Sequence, residues 1–269
     1  MPPRSGSAAL RADKFALYER AVQDPARAVT LLTRHFRASA RRSARILRED
    51  FCGSAAIART WVQRHRDNVA FAVDHDPTTL AWADARADRT LSAAARARLH
   101  LRCADVRAPR QPRADAICAF NFSYCVLKTD SALAAYLRRC KDALHPGGIL
   151  MLDVWGGAMT QVEFEDRQRM GRFVYVWDQA HFDPLTYHID CRIHFEFADG
   201  TALRDAFVYD WRLWTPPELS RLVHAAGFAS HGFLWQGTTP RGLGNGRFRL
   251  ARAGEAAPQW IAYLVARRD

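Results

Sequence analysis

The chain has 269 residues, a hydrophobic content of 49% and a formal net charge of +11. That length and apolar fraction suit one α/β domain with an insertion, or two small domains, around a sizeable core. No apolar run approaches the ~20 residues that cross a bilayer, which argues against a membrane protein, and no signal-peptide core follows the first residues.

The charge is almost all arginine, lysine occurring only at Lys14, Lys128 and Lys141. The densest run, Arg34 to Arg48, has Phe36 as its one aromatic residue. It reads as a solvated helix face and linker in preference to a nucleic-acid footprint. Cys52, Cys103, Cys118, Cys125, Cys140 and Cys191 form no C-x-x-C pair. They are expected to be small buried hydrophobes in a reducing compartment, which points to a cytoplasmic protein. The ten histidines show neither H-x-x-x-H nor H-E-x-x-H spacing, so no metal is expected.

In chain order, Met1 to Ala12 is expected to be a frayed terminus in preference to a transit peptide. Asp13 to Phe36 is helically periodic, and the break at Asp24-Pro25 predicts two helices. Apolar segments near 44–50, 69–74, 99–104, 115–120 and 148–154 predict strands. They alternate with helical patterns near 54–65, 77–86, 92–97 and 130–143. This alternation predicts a doubly wound, mostly parallel sheet with helices on both faces, a Rossmann-like α/β fold. After Trp155 the period changes to two. Phe173 to Asp178, Tyr187 to Phe197 and Ala202 to Trp214 predict an antiparallel meander, with Asp183-Pro184 and Asp199-Gly200 as turns. Residues 155–171 are expected to be partly helical. A helix from Pro216 to Ala226 follows, then a hairpin-like pair of strands near 229–236 and 259–267. A glycine-rich loop from Thr238 to Gly246 lies between that pair.

Arg45 to Leu80 holds the densest functional signal. Ile46-Leu47 leads into Glu49-Asp50-Phe51-Cys52-Gly53-Ser54-Ala55, a helix follows, and Val69 to Val73 ends in Asp74-His75-Asp76-Pro77. Strand, small-residue turn, helix, strand and acid form a βαβ unit that holds a nucleoside, the acid accepting hydrogen bonds from ribose. Pyrophosphate binding needs bare glycine backbone in a G-x-G-x-x-G turn. Here Gly53 is the only glycine, and Phe51 and Ala55 stand where others are expected. A cofactor without phosphates suits the turn better, and S-adenosylmethionine is the candidate.

At these residues the chain resembles the class I S-adenosylmethionine-dependent methyltransferases, whose first motif reads roughly acid-x-G-x-G-x-G. The first-motif segment matches its acid, middle glycine and small residues, but not its outer glycines. Cys103-Ala104-Asp105-Val106, Leu144-His145-Pro146-Gly147-Gly148 and Pro217-Glu218-Leu219 through Ala226-Gly227-Phe228 resemble later marks of the family, in the right order. The resemblance implies that Glu49 or Asp50 meets the amino end of the cofactor, with Phe51, Cys52 and Gly53 around it. It places Asp74 and His75 at the ribose, and Asp105 and Val106 at the adenine. It also places Asn121, in Asn121-Phe122-Ser123-Tyr124 after the fourth strand, beside the transferred methyl, with Tyr124 against the acceptor. Asp74 has the alternative of capping the next helix, a role that Asp76 fills better. Arg48, in a predicted central strand, needs an acid, and Asp50 on the same face is favoured over the cofactor's carboxylate.

The meander is rich in aromatic residues, among them Tyr175, Trp177, Tyr187, Phe195, Phe197, Phe207, Tyr209, Trp211 and Trp214, and mixed pairs such as Trp177-Asp178 and Trp211-Arg212 suggest a lid over a polar substrate. Within the family, additions after the fifth strand commonly build the substrate pocket. Tyr18, on the N-terminal helices, is expected to close the site. Trp177, Asp178, Trp211 and Arg212 are the expected acceptor contacts. His181, His188 and His194 are candidate bases, though an alternating strand favours surface histidines. The expected division is 1–43 as capping helices, 44–158 with 215–269 as core, and 159–214 as substrate lid. The leading function is metal-free methyl transfer to a small-molecule acceptor. The alternatives are a methyltransferase acting on RNA, DNA or protein, and a non-catalytic domain binding a nucleoside or a partner.

Overall fold

The computed structural model describes residues 6–239 and 244–269. Three helices open it: α1 (Ala8–Arg11), α2 (Lys14–Val22) and α3 (Pro25–Ala40). Each begins where a short polar side chain can cap it. Asp13 accepts from the N–H groups of Phe15 and Ala16, and Asp24 accepts from Arg27 N–H ahead of Pro25. The terminus is not frayed at α1: Ala8 N–H donates to Asp199 and Ala9 N–H to Thr201 Oγ1, docking the helix on a distant hairpin. Backbone hydrogen bonding to the core decides order there, and residue composition does not reveal it.

The α/β core follows with β1 (Ile46–Asp50), α4 (Ala56–Arg64), β2 (Val69–Asp74), α5 (Pro77–Thr90), α6 (Ala93–Arg96) and β3 (Leu99–Cys103). It continues with β4 (Ala114–Ala119), α7 (Asp130–Ala143) and β5 (Leu144–Gly156). After an insertion come α8 (Pro216–Ala225), β10 (Ser230–Thr238), β11 (Gly244–Ala251) and β12 (Trp260–Arg267). The strands form one sheet in the order β11-β10-β12-β5-β4-β1-β2-β3. The half from β5 to β3 is parallel, and β12, β10 and β11 add antiparallel. All six residues of β4 are buried, as expected for a central strand covered on both faces.

The chain reverses its direction of winding between β1 and β4, so the crevice outside their carboxyl ends is where this topology binds ligands. The Leu144-His145-Pro146-Gly147-Gly148 turn is explained by contact: a Cβ on Gly148 would meet His145 O at 2.7 Å. The expected loop from Thr238 to Gly246 is a strand from Gly244 onward, and its residues 240–243 lie outside the described residues.

The insertion is a second, antiparallel sheet of β6 (Phe164–Arg169), β7 (Phe173–Asp183), β8 (His188–Phe197) and β9 (Ala202–Arg212), in that order. The meander is thus four-stranded. β6 escapes a reading by alternation because it is Phe-Glu-Asp-Arg-Gln-Arg, a charged edge strand of the kind that resists further pairing. One face of this sheet packs on α2, where Phe173, Tyr175 and Phe195 meet Leu17, Tyr18 and Val22. Phe182, Ile189 and Trp211 join the main core with Leu137, Leu152 and Leu222. Both surfaces meet over the carboxyl edge of the parallel sheet. Among the described residues, no helix is long and apolar enough to cross a membrane.

Candidate active site

A cavity of about 680 Å³ opens at that edge. Its floor is the turn after β1. Phe51, Gly53 and Ala55 all have positive φ, at 53°, 50° and 55°. These are the three positions at which the glycine-rich first motif would carry glycine. The left-handed backbone is therefore kept although two of the glycines are replaced, at a cost of about 1–2 kcal/mol for each replaced residue. The turn is tied down from β2: Cys52 N–H donates to Val73 O at 3.0 Å and Gly53 N–H to Asp74 Oδ2 at 2.8 Å. Phe51 has a packing reason for its place, its ring lying 5.6 Å from that of Tyr136.

The two acids of β1 point to opposite faces, as strand neighbours must. Asp50 Oδ2 accepts from Arg48 Nη2 at 2.8 Å and from the Tyr136 hydroxyl at 3.0 Å. The fully buried guanidinium of Arg48 thus has a protein partner. Asp50 Oδ1, by contrast, is buried without a hydrogen-bond partner, and Asp50 lines the cavity. Glu49 Oε2 accepts from Ala58 N–H at 2.7 Å and so caps α4, whose N-cap residue Ala55 has no side chain to do it. Burial pushes the Glu49 carboxyl up to about 8 against the opposing pull of that bond.

Asp74 and Asp105 stand further along the same edge. While Gly53 holds Oδ2, Asp74 Oδ1 takes Asp76 N–H at 3.1 Å, and His75 Nδ1 lies 3.5 Å from the same Oδ1. Asp76 caps α5 through Thr78 N–H. Asp105 faces the cavity but is held by Arg107 on both oxygens, at 2.6 Å and 3.0 Å. That bond holds the Asp105 carboxyl below the ordinary value. Val106 lines the cavity beside it.

Asn121 and Phe122 both adopt left-handed backbone, at φ 58° and 56°. Their N–H groups converge on one carboxylate, Asp153 of β5, at 2.6 Å and 2.9 Å. Burial raises that carboxyl to about 7. Asp153 was missed in the sequence, where an acid inside the apolar run from Ile149 to Trp155 was its only signal. The reversal brings Asn121 to the cavity and leads into a 3-10 turn, Ser123–Val126. In such a turn residues three apart share a face, so Ser123 and Val126 line the cavity. Tyr124 points the other way and is 1% exposed, inside the core. The expectation that Tyr124 meets the acceptor is corrected accordingly.

The opposite wall comes from β9 and α2. Phe207, Tyr209 and Trp211 project from one face of β9, and Phe15 and Tyr18 face them from α2, with Gln23 just past its C-terminal end. The rings of Tyr209 and Trp211 stack at 4.3 Å. The Tyr18 hydroxyl, pushed up to about 12 by burial, lies beside that of Tyr209. Trp177 lies one layer behind, 6.2 Å from Trp211 and 5.9 Å from Trp155.

Asp178 and Arg212 are corrected by strand alternation. Each follows a tryptophan on that inner face and so points outward. Asp178 pairs with His194 at 3.5 Å, and Arg212 binds Glu218 at 2.6 Å while lying 3.7 Å from the Trp214 ring centre. Neither these two nor Trp177 lines the cavity. Phe207 and Tyr209 were legible as part of the same period-two stripe as Trp211. Phe15 and Gln23 carried no distinguishing signal.

The histidines of the meander lie away from the cavity. His181 is exposed beside Glu163. His194 is buried, not on the surface, and its Nδ1 accepts from Asp205 N–H at 2.8 Å. Ligand atoms of Glu165, Asp178 and His194 come within 4.8 Å of one another. The Asp205 bond, however, leaves the proton of a neutral His194 on Nε2, facing Asp178, where a metal would need a lone pair. All six cysteines are free; five are buried and Cys103 is exposed at the end of β3.

No family model and no curated protein matches the sequence. Among solved structures the chain is similar to the S-adenosylmethionine-bound CalS10 of Micromonospora echinaspora, described as an amino pentose methyltransferase. The identity is 18% over 95% of this chain and 96% of that one, with a TM-score of 0.66. It is similar to the sugar N-methyltransferase KedS8 of Streptoalloteichus at 19% identity, over 100% and 99% of the two chains, with a TM-score of 0.65. An S-adenosylmethionine-dependent methyltransferase of Clostridium acetobutylicum matches at 13% identity over 95% and 98%, with a TM-score of 0.69. These likenesses run almost end to end, and with the sheet order they show that this chain has the fold of the class I S-adenosylmethionine-dependent methyltransferases.

Proposed function

We propose that the protein transfers the methyl group of S-adenosylmethionine to a small polar acceptor held in the same cavity. The observation that carries this reading is the division of that cavity. One side is a turn of three left-handed residues flanked by carboxylates, and the other is a wall of aromatic rings. The residues fit the cofactor. The orphaned Asp50 Oδ1 is an acceptor without a donor, which the cationic amino end would satisfy. In this reading Asp74 would meet the ribose hydroxyls, and Asp105 with Val106 the adenine.

The cofactor, when bound, supplies an electrophilic methyl on a sulfonium. The protein's part is to hold the acceptor atom in line at ~3 Å and to exclude water. Asn121 stands at the junction of the two sides, fixed by Asp153. Tyr18 and Tyr209 have pKa values raised by burial, so at neutral pH they act as hydrogen-bond donors and orienters, not as bases. The N-terminal helices and the second sheet serve as roof and acceptor wall.

Two of the similar structures are described as acting on sugars. A sugar amine suits a pocket with apolar ring faces on one side and carboxylates on the other. Calorimetry with S-adenosylmethionine and its demethylated product tests the cofactor half, and absence of binding by both defeats the proposal. A methyl-transfer screen of amino sugars and other metabolites tests the acceptor half.

A further inference from the structure

The charged groups of the main cavity are unevenly divided. Its lining holds one guanidinium and one imidazole, Arg107 and His75, both on the side of β2 and β3. Each already faces a carboxylate: Arg107 binds Asp105 on both oxygens, and His75 Nδ1 lies 3.5 Å from Asp74. The opposite side is made by α2, β9 and the turn after β4. Among the described residues that line it, none is cationic. The lysines nearby have other partners. Lys14 Nζ donates to Ala206 O at 3.2 Å and lies 5.0 Å from the Phe207 ring centre, and Lys128 pairs with Asp210. Arg192, opposite Val208 on β8, lies 3.7 Å from Asp205. What this side shows to solvent is apolar. Val126 and Val208 both line the cavity while 48% and 62% exposed, which puts them at its mouth. They stand on adjoining segments: β9 packs against the 3-10 turn, and the ion pair of Lys128 with Asp210 lies two residues beyond each valine.

We infer that the acceptor is a sugar amine already joined to an uncharged, apolar aglycone that rests on Val126 and Val208, and not a sugar carried on a nucleoside diphosphate. This inference rests on the methyl-transfer reading and narrows its acceptor. A pyrophosphate is recognised by guanidinium or ammonium groups, or by free N–H groups at a helix N-terminus. Here the cations are paired. The helices whose first turns reach the cavity, α2, α4 and α5, are capped by the carboxylates of Asp13, Glu49 and Asp76. Asp50, Asp74 and Asp76 also line the cavity, so further negative charge would be repelled. A cavity of about 680 Å³ must hold the cofactor and the reacting amine together. Whatever the sugar is attached to therefore lies at the mouth, where covering the two valines removes apolar surface from water.

The test is calorimetry on the full chain. The demethylated product of S-adenosylmethionine is bound first, and its failure to bind removes the methyl-transfer reading together with this inference. The loaded protein is then titrated with methyl glucosaminide, benzyl glucosaminide and uridine diphosphate-glucosamine, which share one sugar and differ in what it carries. The benzyl glycoside should bind about tenfold more tightly than the methyl glycoside, and uridine diphosphate-glucosamine more weakly than either. Val126→Thr and Val208→Thr keep the branched shape and should each cut the benzyl advantage about threefold. Leu185→Thr, at a hairpin tip 93% exposed and outside the cavity, should leave that advantage as it is. Val208→Lys supplies a cation at the mouth and should tighten uridine diphosphate-glucosamine about fivefold. Three results overturn the inference while leaving the cofactor half of the reading intact. They are uridine diphosphate-glucosamine binding at least as tightly as the methyl glycoside, equal affinity for the benzyl and methyl glycosides, and no binding of the benzyl glycoside to the loaded protein.

Discussion

Gly53 donates its backbone N–H to the carboxylate of Asp74 at 2.8 Å. The acid at the end of β2 therefore does more than face a ligand: it holds the cofactor-side turn in its left-handed shape. Replacing Asp74 with alanine is expected to weaken S-adenosylmethionine binding by about 1–3 kcal/mol, the loss of a charged acceptor. The fold should persist with a small fall in melting temperature, and Asp74→Asn should recover part of both. Calorimetry beside thermal denaturation measures the two effects. An unchanged dissociation constant would move the ribose contact away from Asp74.

The strain at Ala55 can be isolated with an internal control. Ala55 and Ala58 are both fully buried, but Ala55 is left-handed and Ala58 is in the first turns of α4. Both lose a methyl group and gain unfolded-state entropy on substitution by glycine. Only at Ala55 does glycine also relieve positive φ. Ala55→Gly should therefore be less destabilising than Ala58→Gly by about 1 kcal/mol or more. Equal losses in denaturant unfolding would show that the turn carries no such strain.

Glu49 and Asp153 govern the pH dependence of stability. Their folded pKa values, about 8 and about 7, lie above the ordinary 4.5 and 3.8. Between those limits the native state holds protons that the unfolded chain has released. Stability therefore falls as pH rises through about 4 to 8. Asp153→Asn should flatten the part of the curve ending near pH 7, and Glu49→Gln the part ending near pH 8. Melting temperatures from about pH 5 to about pH 9 check this. A curve as steep in both variants as in the wild type would assign the effect to other groups.

The outward orientation of Arg212 separates stability from acceptor binding. Arg212→Gln breaks the Glu218 contact and the stacking on Trp214, which should cost about 1 kcal/mol of stability and leave the acceptor KM unchanged. Tyr209→Phe keeps the ring in the aromatic wall but removes the hydroxyl that meets Tyr18. It should raise the acceptor KM several-fold, with cofactor affinity held. The reverse pattern in steady-state kinetics would place the acceptor on the outer face of the second sheet.

Much of this protein was determined by local sequence. Strong apolar segments separated by helical periodicity dictate a parallel α/β sheet, and Asp24-Pro25 stops one helix and starts the next. Asp74 is legible because a buried strand can end in a carboxylate only where something needs it. The tertiary structure decided what such patterns cannot hold. Phe51 and Ala55 read as departures from a glycine motif, yet the bonds from Cys52 and Gly53 to β2 impose the glycine-like backbone on them. Period two places Trp211 and Arg212 on opposite faces but does not say which face meets the cavity; packing against Phe122 and Trp177 decided that. Tyr124 went to the core because Asp153, thirty-two residues beyond Asn121, turns the preceding backbone. The pairing of Arg59 and Arg86 with Glu19 likewise joins three helices. Local propensity is encoded over a few residues, whereas burial and the partners it demands are set by segments that meet only when the chain is folded.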